Sequence, residues 1–201
     1  QSSSAVITCL LDRRDPKVET ISYRIDGRDL GVAFQLPCEL AGIPLFPAVS
    51  GKDSWSVRTR FANLTFPQGC PSLSEAMDTN DVVAGPLVLG LCSGDADAYI
   101  KLELDSHVVC VPEAARNSWY GIRGRPGVLH GRYQYEVELK SSECLLRVGW
   151  SALRTKRAVG NDAHSFGYGG TGKKSNAGRF LDYGENFENK VGSVLSCLID
   201  R

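Results

Sequence analysis

The chain has no surplus of charge of either sign: 23 Lys plus Arg stand against 23 Asp plus Glu in 201 residues. A balance of zero argues against a dedicated nucleic-acid or membrane-surface protein, while leaving room for a local basic patch. No apolar run reaches the roughly 20 residues that a membrane helix needs, so no membrane association is expected. No long stretch carries helical periodicity, and the expected class is therefore all-β. The seven cysteines (Cys9, Cys38, Cys70, Cys92, Cys110, Cys144 and Cys197) contain no CxxC pair. Scattered and odd in number, they argue against a zinc site and for buried, reduced thiols in an intracellular protein, cytoplasmic or nuclear. No cofactor is expected. The opening Gln1-Ser-Ser-Ser lacks both Met and a signal-peptide pattern, which reads as an excised fragment.

What is present is glycine, 21 residues of it, spaced between short runs of period two. In residues 133–139, Tyr133, Tyr135, Val137 and Leu139 alternate with Gln134, Glu136 and Glu138. One face should meet a core and the other water. Residues 145–150 and 194–199 read as further strands. Nearer the start, residues 5–13 and 20–25 read as strands, and Asp26-Gly27 is a hairpin signal before residues 29–34. Residues 36–43 form a loop and 44–50 a strand. Residues 55–61 place Trp55, Val57, Thr59 and Phe61 on one face. Residues 67–85 are a connector in which Ser72 and Glu75 suggest a capped helical turn. Ile100, Leu102 and Leu104 alternate in residues 99–104, and residues 108–111 form one more strand.

The stretch from residue 120 resembles the SPRY domain family. The resemblance rests on GRYQYEVEL at 131–139, LRVGW at 146–150, HSFGYGGTGKKS at 164–175, YGENF at 183–187 and CLID at 197–200. In pattern it is similar to the SPRY modules of heterogeneous nuclear ribonucleoprotein U and of DEAD-box RNA helicases. The resemblance implies a sandwich of two antiparallel sheets, without catalytic activity, that binds a partner protein or peptide through loops on one edge.

Residues 5–66 resemble the same family, but its C-terminal half: CLLDR at 9–13, ISYRIDGRDLGVAF at 21–34, PLFPAVS at 44–50 and VRTRFANL at 57–64. The halves therefore stand in reversed order, with residues 1–66 and 86–201 flanking the 67–85 connector. The joining strand occurs twice, as VITCLLDR at 6–13 and VLSCLIDR at 194–201. Either the chain straddles two tandem modules, or the halves complete one circularly permuted sandwich, or neighbouring chains exchange strands. A half-module of about 60 residues has too little core and too many open edges to stand alone. One combined domain, monomeric or a strand-exchanged dimer, is the expectation.

By position, the resemblance places partner binding at Trp119, Tyr120, Arg123, Arg125, Tyr168, Lys173 and Lys174. Arginine and aromatic side chains are the usual interface anchors, although Trp119, Tyr120 and Tyr168 suit a core equally. Trp150 reads as core. A second basic cluster, Arg147, Arg154, Lys156 and Arg157, reads as a solvated loop or a recognition loop; Arg154, Lys156, Arg157 and Arg179, with Lys173 and Lys174, are a candidate anion or RNA contact. The glycine-rich centre only approximates a phosphate loop: Lys174 stands where Ser or Thr should hold magnesium, and no amphipathic helix follows. Residues 176–184 read as turn-rich. His107, His130 and His164 lie far apart and pair with no nucleophile in a recognisable order.

Overall fold

Alternating apolar residues and tight glycine turns build fourteen strands in the computed structural model, which describes residues 19–61, 90–104, 107–111, 117–129, 132–141 and 144–201. The strands are β1 Thr20–Ile25, β2 Arg28–Gln35, β3 Leu45–Lys52, β4 Trp55–Arg60, β5 Gly90–Ala96, β6 Ile100–Leu102 and β7 His107–Cys110. They continue as β8 Trp119–Arg125, β9 Arg132–Leu139, β10 Leu146–Ala152, β11 Ser165–Gly169, β12 Lys173–Asn176, β13 Arg179–Asp182 and β14 Val194–Asp200. A 3-10 turn spans Cys38–Leu40.

Two seven-stranded sheets result, both antiparallel. The first runs β2-β1-β14-β9-β4-β7-β6 and the second β13-β12-β11-β10-β3-β8-β5. Both sheets join strands from residues 20–60 to strands from residues 90–200. β3 lies between β10 and β8, β4 between β9 and β7, and β14 between β9 and β1. The 6–13 copy of the repeated strand, the 72–75 turn and His130 lie outside the described residues.

The inner faces meet over an apolar core. Trp150 of β10 packs edge-on against Tyr135 of β9, with centroids 5.4 Å apart. The Tyr135 hydroxyl crosses between the sheets, donating to Gly149 O at 2.6 Å and accepting the Gly149 N–H at 2.9 Å. A phenol buried among apolar groups needs such partners. Burial pushes its ionisation well up. Trp55, Val57, Tyr133, Val137 and Leu139 are buried as their alternation requires. Tyr168 packs against Tyr23 and Tyr183 of the YGENF turn, as well as Phe187, with centroids 5.2–5.3 Å apart for Tyr23, Tyr183 and Phe187 alike.

Two local readings of the sequence need correction. Two of the three outward residues of β9 are withdrawn from water, while Gln134 stays half-buried. Glu136 and Glu138 are buried, because Arg60 of the neighbouring β4 lies against both and Lys140 pairs with Glu138. The alternation of residues 99–104 marks an edge, where Leu102 is 37% and Leu104 91% exposed. The Asp26-Gly27 hairpin forms as its sequence demands, with φ of 52° and 79° at those positions.

Candidate partner-binding face

The outer face of the second sheet carries the loop of residues 153–164 laid flat against it. Glycine makes this close approach feasible: a Cβ on Gly121 would stand 2.2 Å from Arg157 O, and one on Gly167 3.0 Å from a Val159 methyl. Polar bonds pin the loop along its length. Val159 N–H donates to Ser50 Oγ at 3.0 Å, and Arg147 donates to Val159 O at 3.1 Å and Asn161 Oδ1 at 2.7 Å. The Asn176 amide reaches Ala163 O and Ser165 O.

One end of the loop is held by a buried ionic network. Arg123 meets Asp95 side-on, Nε to Oδ2 at 2.9 Å and Nη2 to Oδ1 at 3.0 Å. Its third nitrogen donates to Ala152 O and Thr155 O. Arg157 donates to Asp95 at 3.0 Å and to Asp97 at 3.0 Å. Burial pushes the Asp95 carboxyl up, but the hydrogen bonds and charges of Arg123 and Arg157 prevail and hold it below its ordinary value.

Beside the loop, Arg147 of β10 is stacked between two rings. Its guanidinium carbon lies 3.9 Å from the Trp119 centroid and 4.8 Å from that of Phe180, which is 46% exposed. Gly169, paired with Arg147 across β10 and β11, leaves room for the side chain. A pocket of about 100 Å³ opens there, walled by Trp119, Arg147, Phe180, Lys173 and the turn at Gly170 and Thr171. Burial lowers the Arg147 pKa to about 10, which still leaves a full positive charge at neutral pH. Lys173 faces Asp182 at 3.3 Å in an exposed pair, an arrangement that contributes little to stability.

The predicted site residues therefore separate into groups. Trp119 and Lys173 line the pocket. Tyr120, Arg123 and Tyr168 are buried behind the face: Tyr120 packs on Tyr99, Arg123 on Asp95, and Tyr168 donates to Glu185 O at 2.6 Å. Arg125 lies over Phe46, and Lys174 turns toward β2, donating to Ala33 O at 2.6 Å. Arg154, Lys156 and Arg179 are exposed, whereas Arg157 is tied into the ionic network. The sequence reading missed Phe180 and the central place of Arg147. Residues 176–184, read as turns, contain a tight hairpin at Ala177-Gly178, φ 51° and 70°, followed by β13. The two-residue spacing before Gly178 was the signal for it.

The glycine-rich centre is likewise a hairpin of β11 and β12, lacking the helix that a phosphate loop opens. Among the described residues no cluster of three His, Cys, Asp or Glu is placed to hold a metal ion. No helix there is long and apolar enough to cross a membrane.

The two antiparallel sheets thus form a sandwich with one loop-covered face and an aromatic-lined pocket beside the loop. Residues 132–201 match the family model of the SPRY domain, a family whose members generally serve protein interaction. The chain is 38% identical over 97 residues to the ATP-dependent RNA helicase DDX1 of Xenopus laevis, covering 48% of this chain and 13% of that protein. It is 42% identical over 83 residues to the Drosophila melanogaster ATP-dependent RNA helicase Ddx1, covering 41% and 11%. To the human heterogeneous nuclear ribonucleoprotein U-like protein 2 it is 34% identical over 83 residues, covering 36% and 11%. The chain thus spans little more than a tenth of these curated relatives. No solved structure matches it.

Proposed function

We propose that the chain is a non-catalytic interaction module that binds a partner peptide on the outer face of the second sheet, at the pocket of Trp119, Arg147 and Phe180. The observation that carries this reading is a cation held between two aromatic rings at the rim of an open pocket, with Phe180 half exposed. Aromatic and arginine anchors on a rigid frame are what interfaces use most. The test is peptide-array binding by the wild-type chain and by Phe180→Ala. Loss of a central anchor costs about 2 kcal/mol, roughly a thirtyfold drop in affinity. Unchanged binding by Phe180→Ala would move the site elsewhere.

A second reading, contact with RNA or another polyphosphate, draws on exposed Arg154, Lys156 and Arg179 and on relatives named as an RNA helicase and a ribonucleoprotein-like protein. Salt separates the two. Phosphate-driven binding weakens steeply with ionic strength, whereas an aromatic-anchored peptide changes little. We also read residues 1–66 and 86–201 as the reversed halves of one SPRY sandwich in an intracellular protein. Scattering from a monomer with a radius of gyration of about 16–17 Å supports this reading. A dimer would instead mean that strands pair between chains.

A further inference from the structure

We infer that the pocket beside Arg147 receives a single side-chain carboxylate, glutamate or aspartate, from an extended peptide of the partner protein. This rests on the interaction reading above and names the chemistry of that site.

Three observations lead to it. First, the fork of Arg147 is half used. Nη1 donates to Val159 O and Asn161 Oδ1, while among the described residues Nε and Nη2 meet no acceptor. Neither atom is sealed off from solvent. The free Nε–Nη2 edge is the side of a guanidinium that grips a carboxylate with two parallel hydrogen bonds. The stacking rings fix the plane of that edge before any ligand arrives.

Second, the charge balance fits one negative group. Among the described residues, Arg147 and Lys173 are the only charged ones lining the pocket. Lys173 already has Asp182 at 3.3 Å, and among the described residues no carboxylate pairs with Arg147. One uncompensated positive charge matches a carboxylate better than a dianionic phosphate. Arg123 shows the contrast within the same protein, since its Nε–Nη2 edge is filled by Asp95.

Third, the pocket holds about 100 Å³ and is bounded on two sides by the exposed ring of Phe180 and the partly buried ring of Trp119. It accommodates a short acidic side chain while Phe180 and Trp119 cover its methylene groups.

The test uses three arrays of otherwise random peptides whose central residue is fixed as glutamate, glutamine or phosphoserine, each probed with the wild-type chain, Arg147→Gln and Phe180→Ala. A bidentate charge-assisted pair predicts about a tenfold preference for glutamate over glutamine in the wild type. That preference should vanish in Arg147→Gln and persist, at weaker overall binding, in Phe180→Ala. Equal binding of glutamate and glutamine by the wild type overturns the proposal without reliance on any variant. So does a phosphoserine preference more than tenfold over glutamate. If glutamine peptides still bind and Phe180→Ala weakens them, the interaction reading survives and only the carboxylate assignment falls. If no peptide binds but oligouridylate does, steeply dependent on salt, both fall.

Discussion

Replacing Asp95 with asparagine is the sharpest probe of how the proposed binding face is held. The substitution keeps the shape and removes one charge from a group 4% exposed. Arg123, also 4% exposed, would then be a buried guanidinium facing a neutral amide, with one Asp95 oxygen replaced by a donor. Breaking a buried pair by removing one partner typically costs about 3–5 kcal/mol. The lower end is expected here, because Arg157 retains Asp97 and is one-third exposed. At about 2–4 °C per kcal/mol for a domain of this size, the melting temperature should fall by roughly 6–12 °C. The assay is urea unfolding beside a thermal melt, repeated from pH 7 to pH 3. The Asp95 carboxyl in the folded state lies below its ordinary value of 3.8. Its contribution is therefore complete above the unfolded value and lost as pH falls through the folded one. The gap between wild type and Asp95→Asn should hold steady above about pH 5 and narrow below about pH 4. Replacing both partners at once, Asp95→Leu with Arg123→Met, should recover part of the loss, but Thr155 O would lose the Arg123 donor and Ala152 O would keep only the Thr155 hydroxyl. A single-variant loss under about 1 kcal/mol, or a gap indifferent to pH, would refute the idea that this pair anchors the loop.

Other expectations follow from the same packing. Gly121→Ala drives a methyl to 2.2 Å from Arg157 O and should cost about 1–3 kcal/mol, with faster amide exchange at Val159 as the loop lifts. Glu136→Gln should raise the melting temperature at pH 7 and leave it unchanged near pH 3. Burial holds the Glu136 carboxyl above its ordinary value against the pull of Arg60, so its ionisation opposes folding as pH rises. Alkylation at pH 8 followed by mass mapping should label exposed Cys38 first. Cys110, pushed up to about 11 by burial and by Asp97, should lag, together with Cys144 and Cys197, whose thiols burial also raises.

The strands of this fold were legible because their signals are local. Tyr133 to Leu139 and Trp55 to Phe61 alternate strictly, and Asp26-Gly27 can hardly do other than turn. Trp150, read as core, is buried. The site was only half legible, since burial of a charged residue depends on partners far along the chain. Arg123 reads as a surface anchor until Asp95, 28 residues earlier, is found against it. Tyr168 and Lys174 occupy neighbouring places on β11 and β12, yet one fills the core and the other reaches Ala33, 141 residues before it. Phe180 escaped notice because β13 has only four residues, too few for a period to show.

The loop of residues 153–164, fastened at Ser50, Arg147, Asn176 and Asp95, bears on how fast and how selectively a partner is held. A segment already immobilised gives up little freedom when a ligand arrives. Complex formation should then proceed as rigid docking, with small backbone displacement and an association rate set by encounter rather than by rearrangement. Differences among partners would appear mainly in how long each one stays. Exposed Arg154 and Lys156 are free to vary that residence time without disturbing the sheet beneath them.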